Sequence, residues 1–248
     1  MKLAAAAVTL ALIAAPVGQA WATNPALAIL PFKKKMELAK AGDPEAKMAL
    51  AEAYLQGDGV KASPANAARW FREAALAGNF DAQFELAKMV LTGAPGVKVD
   101  QATAVKLLQA AAIKGHALSQ NKLGSLLESG TGIARDYQAA AEWYHKAAEQ
   151  GLAEAQNNYG VMLLKGLGTQ RNLDDAFRWF MKASDQNYGW AMNNLGAMYE
   201  KGWGTSANLR EAERYYKAAG DLGIEIARKN YDRLLAIKGT TTGSAQQP

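Results

Sequence analysis

Residue types that carry chemistry are sparse in this chain of 248 residues. It has no cysteine and only two histidines, His116 and His145, and the acids near them do not make a ligand set. No serine stands in a G-x-S-x-G elbow or in an S-x-x-K motif with its companion motifs, and Ser125 and Ser129 only occupy helix-face positions. The sequence therefore predicts no catalytic site, no metal site and no cofactor.

Paired glycines could also do chemistry, because the backbone of a glycine-rich loop can cradle a phosphate. Such a loop must follow a β-strand and lead into a helix, and no segment here has the alternating pattern of a strand. The pairs instead recur five times at near-constant spacing, which indicates that the backbone of a repeated turn requires them. They are Gly57/Gly59, Gly93/Gly96, Gly130/Gly132, Gly166/Gly168 and Gly202/Gly204.

The elements that carry these glycines repeat along the chain. A small residue opens each unit, at intervals of 36, 37, 36, 36 and 36 residues, at Ala46, Ala82, Ser119, Ala155, Ala191 and Ala227. We number positions within a unit from this residue, so Ala155 is position 1 of the fourth unit. A period of this length predicts a solenoid in which each unit buries its apolar face against its neighbours. Function is then expected on a surface.

The fourth unit reads as a helix, a glycine turn and a second helix. Four residues of the first helix fall within about 100° of one another and predict its buried stripe: Ala155, Tyr159, Met162 and Leu163. Gly166 can adopt the left-handed conformation that ends a helix. The second helix is predicted to bury small residues and rings together, namely Ala176, Trp179, Phe180 and Ala183.

These patterns resemble the Sel-1-like repeats, relatives of the tetratricopeptide repeats with longer units. Leu195 to Tyr199 with Gly202 and Gly204 is similar to the Leu-Gly-x-x-Tyr and Gly-x-Gly part of that repeat. Ala140 to Gly151 is similar to its Ala-x-x-Trp-Tyr-x-x-Ala-Ala-x-x-Gly part. The resemblance implies an all-α fold, a right-handed α/α superhelical solenoid of about five helix-turn-helix repeats with capping half-repeats.

The beginning of the chain predicts export. Residues 1–22 combine Lys2, an apolar run from Leu3 to Ala15 and the small-x-small sequence Ala20-Trp21-Ala22, which is typical of a signal peptide cleaved before Thr23. We expect a periplasmic protein of a Gram-negative bacterium, with secretion to the medium as the alternative. Without cysteines, the exported chain must be stabilised by packing alone.

The solenoid is expected to occupy residues 33–238. Residues 23–32 are interpreted as an N-terminal linker and residues 239–248 as a disordered tail without apolar periodicity. Terminal units need a polar outer face for solubility. Lys33, Lys34 and Lys35 are predicted to supply it at one end of the solenoid.

Partner binding is expected on the first helices, which the resemblance places on the concave side of the solenoid. Positions 3, 7, 10 and 11 lie opposite the buried stripe. The residues predicted to form this groove are Met48, Phe84, Lys88, Asn121, Asn157, Lys165, Asn193, Lys201, Lys229 and Arg233. Met48 and Phe84, with Leu55 and Leu91, make its first half apolar, as is typical of a protein contact.

Asparagines and cations characterise the second half of the groove. Asn121, Asn157 and Asn193 recur at position 3, and such a row can bond an extended peptide backbone of any sequence. The neighbouring cations favour a partner that is acidic or has a free carboxylate. A merely solvated concave face is the alternative. The asparagines at position 4 are predicted to satisfy buried backbone groups: Asn158, Asn194 and Asn230.

Two functions fit these features, and a third is the least favoured. The resemblance implies a periplasmic scaffold or regulator that binds a protein or peptide, in an envelope complex, polysaccharide export or signalling. Binding of peptidoglycan or another envelope glycan is the alternative, for which Trp190, Trp203 and Tyr188 are the aromatic candidates. Cysteine-rich members of the family are described as weak β-lactamases, but this cysteine-free chain predicts no enzyme.

A net charge of +5 is too small to indicate nucleic acid, and neither a small molecule nor stable membrane insertion is expected.

Overall fold

The computed structural model describes residues 25–243, with side chains from 26 to 237. Within that range the chain forms thirteen α-helices and no β-strand. They are α1 Pro25–Ala28, α2 Phe32–Lys40, α3 Pro44–Gln56, α4 Pro64–Leu76, α5 Phe80–Thr92, α6 Gln101–Ile113, α7 Ala117–Ser129, α8 Tyr137–Glu149, α9 Ala153–Lys165, α10 Leu173–Ser184, α11 Gly189–Lys201, α12 Leu209–Asp221 and α13 Glu225–Gly243.

These helices pair as the period predicts. Each unit contributes a first and a second helix, from α3 and α4 to α11 and α12, and each helix packs mainly on the one before it and the one after it. Helix α2 is the second helix of an incomplete leading unit, and α13 is the first helix of an incomplete last unit. The predicted all-α solenoid with capping half-repeats is confirmed.

Helix boundaries follow from short polar residues and glycines. A side-chain oxygen of the preceding residue caps most of these helices, as Asp43 does for the amide of Ala46 at 2.9 Å. Four of the five complete first helices end on a left-handed glycine: Gly57, Gly130, Gly166 and Gly202. The one extra residue of the second unit changes its turn, where Ala94 and Val97 exchange two backbone hydrogen bonds of 3.2 and 2.7 Å.

The second glycine of each pair serves the contact between units. Gly168 and Gly204 have φ values of 66° and 64°. A Cβ atom on either residue would collide with the backbone of Tyr137 or Leu173, the first residue of the second helix in the preceding unit. The structural interpretation of the glycine pairs is therefore confirmed.

The predicted core residues are in the interior with two qualifications. Ala155, Met162 and Leu163 are buried on α9, as are the two alanines and Phe180 on α10. Tyr159 and Trp179 are half-buried and meet edge to face, with ring centroids 5.7 Å apart. They lie at the edge of the contact between the third and fourth units rather than in its buried centre.

Both ends of the chain differ from the sequence-based boundaries. The predicted signal peptide, residues 1–22, lies outside the described residues. The linker assigned to 23–32 contains α1, and its Leu27 is buried against Ala39 and Leu50. Helix α13 continues past residue 238 to Gly243, because a single glycine in a helix costs only about 1 kcal/mol and does not by itself stop it. Of the predicted tail, residues 244–248 are not described.

Lys35 also departs from its predicted place on a polar cap. It is only 3% exposed, and its ammonium group lies 2.8 Å from a carboxylate oxygen of Asp58. That ion pair ties α2 to the turn after α3, because a buried ammonium group requires a partner of opposite charge.

Candidate partner-binding face

The predicted groove residues lie on what we call the first-helix face, formed by positions 3, 7, 10 and 11 of α3, α5, α7, α9, α11 and α13. The five cations are exposed: Lys88, Lys165, Lys201, Lys229 and Arg233. Phe84 and Asn193 are half-buried, whereas Met48, Asn121 and Asn157 are buried. The prediction that position 3 is exposed is therefore wrong for those three residues. The next first helix stacks over this position.

The N-terminal part of the face is less apolar than predicted, since Met48 belongs to the core. Phe84 packs edge-on against His116, with ring centroids 5.8 Å apart. Lys88 lies 5.3 Å from the centre of the Phe84 ring and bonds both oxygens of Glu85 at 2.9 Å. Its charge is thus already engaged within the chain.

The asparagines form a ladder between successive first helices. The amide nitrogens of Asn158, Asn194 and Asn230 donate to the side-chain oxygens of Asn121, Asn157 and Asn193 over 3.0, 2.9 and 3.0 Å. Position 4 of each unit is thus bonded to position 3 of the preceding one. The prediction that the position-4 asparagines satisfy backbone groups is wrong, because the stacking of units brings a side-chain acceptor within reach.

This ladder orients each position-3 amide. Because its oxygen accepts from the next unit, its nitrogen is available as a donor on the other side of the amide. The nitrogen of Asn157 lies 3.5 Å from the oxygen of Asn158, which is a weak contact. The nitrogens of Asn121 and Asn193 donate to no other side chain or backbone group of the described chain. Two amide donors, two units apart, therefore lack a protein acceptor.

Position 10 carries a second pattern, a pairing of side-chain types between the two helices of one unit. Glu128 and Glu200 accept hydrogen bonds of 2.8 and 2.9 Å from the hydroxyls of Tyr144 and Tyr216. Where position 10 is leucine, the matching residue of the second helix has no hydroxyl: Phe71 for Leu55, Leu108 for Leu91 and Phe180 for Leu164. Burial, and then the bonded carboxylate, raise the pKa of both tyrosines.

Glu200 also holds Arg233, the last predicted cation of the face. The two guanidinium nitrogens lie 2.9 and 2.6 Å from the two carboxylate oxygens. The Arg233 hydrogen bonds, with help from Tyr216, lower the pKa of Glu200. Lys201 and Lys229 are 3.9 Å from oxygens of Glu200 and Glu225.

Lys165 is the predicted cation that is left without such a partner. It makes no ion pair with another residue whose side chain is described. It is therefore the most available of the five predicted positive charges.

His116 is buried between α5 and α7. Its two ring nitrogens lie 2.8 Å from the Ser119 hydroxyl and 3.0 Å from a carboxylate oxygen of Asp81. Ser119 is completely buried, so its hydroxyl is closed to a substrate. The three side chains join α5 to α7 and form a structural link rather than a nucleophilic site.

Glutamines form a further link that the sequence analysis did not identify. Gln120 donates to the backbone oxygen of Ala112 at 3.0 Å and accepts from Gln150 at 2.7 Å. Gln156 and Gln186 repeat the second bond at 2.9 Å. Gln120 and Gln156 stand at the same position of their units, and so do Gln150 and Gln186. This recurrence was the signal that could have identified the link.

The aromatic side chains considered for glycan binding are accessible in part. Trp190 is 50% exposed and Trp203 37% exposed, whereas Tyr188 is half-buried. Trp190 lies in the first turn of α11 and Trp203 in the turn that follows this helix. They therefore stand at opposite ends of one helix and do not form a single platform.

A stack of helical hairpins, without a convergent catalytic group in the described part, defines the class of helical-repeat solenoid proteins related to the tetratricopeptide repeats. The Sel1 repeat model matches residues 44–79, 80–116, 117–152, 153–188 and 191–224, which is more than half of the chain. The chain belongs to the Sel1 repeat family. Proteins of this family generally mediate protein–protein interactions, and the family is typically non-enzymatic.

Solved structures support this assignment. A protective antigen with an SLR fold from uropathogenic Escherichia coli strains is 33% identical, with a TM-score of 0.76, over 82% of this chain and 43% of its own. This chain thus spans less than half of that protein. A Sel1 repeat protein from Oxalobacter formigenes is 27% identical, with a TM-score of 0.72, over 81% of this chain and 86% of its own. A Sel1 repeat protein from Klebsiella pneumoniae, at 22% identity and a TM-score of 0.53, shares the fold.

Comparison with curated proteins gives no match. Among residues 25–243, no helix has the length and apolar character needed to cross a membrane.

Proposed function

We propose that this protein is an exported interaction scaffold or regulator that binds an extended segment of a partner protein along the first-helix face. The proposed contact region runs from α7 to α13. Asn193, which is half-buried, and the amide nitrogen of the largely buried Asn121, which is not among the fully enclosed unpaired atoms, bond the backbone of the partner. Lys165 pairs with a carboxylate. The exposed lysines Lys201 and Lys229 belong to this region, and Lys88 on α5 extends it, with its charge shared with Glu85.

The observation that carries this proposal is the fixed orientation of the two amides. Asn158 and Asn230 hold the oxygens of Asn121 and Asn193, so each nitrogen is a preoriented donor with no protein acceptor. Backbone carbonyl groups of an extended peptide are suitable acceptors and need no particular side chains. Preorientation also lowers the entropy cost of forming these bonds.

The exported location rests on the sequence of residues 1–22. A positively charged start, an apolar run and a small-x-small site together favour cleavage after Ala22 and delivery to the periplasm. The absence of cysteine fits a chain that is stabilised by helix packing alone in that compartment. Mass spectrometry of the protein recovered from a periplasmic fraction tests this directly, with Thr23 expected as the first residue.

Affinity capture from a periplasmic extract tests the binding face. Asn121→Asp with Asn193→Asp keeps the oxygens that accept from the ladder but removes the two donors. Asn208→Asp adds the same kind of charge while preserving the cap that residue 208 provides to α12. We expect the same partner to be recovered with the natural protein and with the Asn208→Asp control, and to be lost with the double variant. Equal recovery by the double variant overturns the proposed face.

Glycan binding is a second candidate because Trp190 and Trp203 are exposed indoles in a protein whose other rings are mostly packed. Sedimentation with purified cell-wall sacculi tests it. Co-sedimentation that is abolished by Trp190→Ala or Trp203→Ala, together with no protein captured from the extract, would favour the glycan over a protein partner.

A further inference from the structure

A cleft of about 320 Å³ lies between α4 and the turn that precedes α6, and no residue of the first-helix face lines it. Its apolar lining comes from Ala65, Ala68, Val90 and Val97. Three cations also line it, namely Arg69, Arg72 and Lys98. None of the three forms an ion pair with another residue whose side chain is described, so the cleft contains uncompensated positive charge.

Arg69 differs from the arginines at the same position of other second helices. Arg178 on α10 is 3.0 Å from Asp175, and Arg214 on α12 is 2.8 Å from Glu211, in each case three residues earlier. On α4 the corresponding residue is Asn66, which carries no charge. The partner that neutralises this arginine elsewhere is therefore missing.

Arg72 lacks its acid in the same way. At the matching position, Lys217 is 2.8 Å from Asp221 and His145 is 3.5 Å from Glu149, in each case four residues later. On α4 that place is taken by Leu76. Glu73, the only acid of α4, pairs with neither arginine.

The cleft contains one acid, and that acid is already engaged. Asp100 caps α6, accepting from the Thr103 amide at 2.9 Å and from the Thr103 hydroxyl at 2.6 Å. These hydrogen bonds lower the pKa of Asp100. Three cations and one carboxylate leave the cleft positive.

The equivalent cleft of the third unit shows that the charge is particular to this place. It measures about 210 Å³ and is lined by Gln138, Ala141, Glu142 and His145, with Tyr159 and the Gly168 turn. Glu142 and His145 occupy the positions of Arg69 and Arg72. The geometry of the cleft therefore belongs to the repeat, whereas the combination of two guanidinium groups occurs only in the first unit.

We propose that the cleft binds a carboxylate on a short aliphatic stem. The guanidinium groups match the geometry of a carboxylate, and the alanine and valine side chains cover the stem. A volume near 300 Å³ is at the lower limit of small-ligand pockets, which suits a ligand of about the size of a glutamate side chain. The carboxylate comes either from a free dicarboxylate or from a glutamate of a bound protein. This site is separate from the first-helix face.

Titration with glutarate, followed by the backbone amide NMR signals of Ala65, Ala68 and Val97 at low salt, tests the site. The decisive variant is Asn66→Asp, which supplies the acid that α10 and α12 already have. An acid in the first turn favours a helix, so this variant is expected to fold. Gln170→Glu on an exposed loop is the control for added charge. We expect saturable shifts in the natural protein and the control, and about tenfold weaker binding by the variant, the effect of one lost charge-assisted hydrogen bond.

Two results would overturn the site: no saturable shift with glutarate, or equal binding by Asn66→Asp. Inorganic phosphate provides a third test, because affinity equal to that of glutarate would mean that the aliphatic stem is not recognised. A capped Ala-Glu-Ala peptide distinguishes the sources of the carboxylate. Tighter binding of the peptide than of glutarate identifies a protein side chain, and the reverse identifies a free dicarboxylate.

Discussion

Arg233 on α13 donates two parallel hydrogen bonds, 2.9 and 2.6 Å long, to the carboxylate of Glu200 on α11. These bonds connect the incomplete last unit to the fifth unit. Tyr216 donates to the same carboxylate at 2.9 Å. Glu200 is only 10% exposed, whereas Arg233 is 45% exposed. The pair is thus a partly buried, bidentate contact, which is the geometry in which an ion pair contributes measurably to stability.

Removing this ion pair should destabilise the protein in a pH-dependent way. A double-mutant cycle with Glu200→Gln and Arg233→Gln is expected to give a coupling energy of about 1 kcal/mol at pH 7 in urea unfolding. The pKa of Glu200 is lowered in the folded state, so the stabilisation is fully present above its ordinary value of about 4.5. It is lost as the pH falls through the folded pKa. A coupling energy that is unchanged at pH 3 would contradict this account.

Truncating the asparagine ladder should lower stability. Asn157→Ala leaves the half-buried amide of Asn194 without its acceptor, and Asn193→Ala does the same to Asn230. We expect each to reduce the free energy of unfolding by about 1–2 kcal/mol. Asn66→Ala, an exposed asparagine whose side chain makes no hydrogen bond in the structure, is the matched control and should change it by less than about 0.5 kcal/mol. Equal effects at all three positions would mean that the ladder contributes nothing.

The ladder also shows where prediction from the sequence reached its limit. The helices, the glycine turns and the buried stripes were predictable, because spacing within about twenty residues determines them. Whether Asn157 is exposed depends instead on Asn194, 37 residues later, and on the register in which units stack. A helix considered alone has an outer side at position 3, but in the solenoid the next helix covers it.

Some contacts between helices could nevertheless have been predicted by comparing the repeats with one another. Glutamate at position 10 occurs only in units whose second helix carries Tyr144 or Tyr216, and leucine accompanies phenylalanine or leucine. Such co-occurrence across units predicts a contact between the two positions. The free amide donors of Asn121 and Asn193 could not be found in this way, since they depend on which atom of each amide is already bonded.

The buried His116 should contribute to stability through Asp81. His116→Ala removes the only described hydrogen-bond partner of the Asp81 carboxylate, whose second oxygen is already buried without one. We expect a loss of about 2–3 kcal/mol, measured by urea unfolding, because a buried carboxylate becomes unpaired. Adding Asp81→Asn should recover part of this loss. If Asp81→Asn leaves His116→Ala unchanged, the link between α5 and α7 is not what the histidine stabilises.

Gly160 and Phe180 test how closely the two helices of one unit approach. A Cβ atom on Gly160 would lie 2.7 Å from a ring carbon of Phe180, so Gly160→Ala should force the ring aside. Overpacking of this kind costs about 1–3 kcal/mol.

The second unit has Ala87 and Leu108 at the same two positions, and Leu108 is fully buried. We therefore expect Phe180→Leu to offset part of the cost of Gly160→Ala, although Phe180→Leu alone is destabilising. Urea unfolding of the two single variants and the double variant measures this coupling, and simple additivity of the two losses would show that the contact does not limit helix approach.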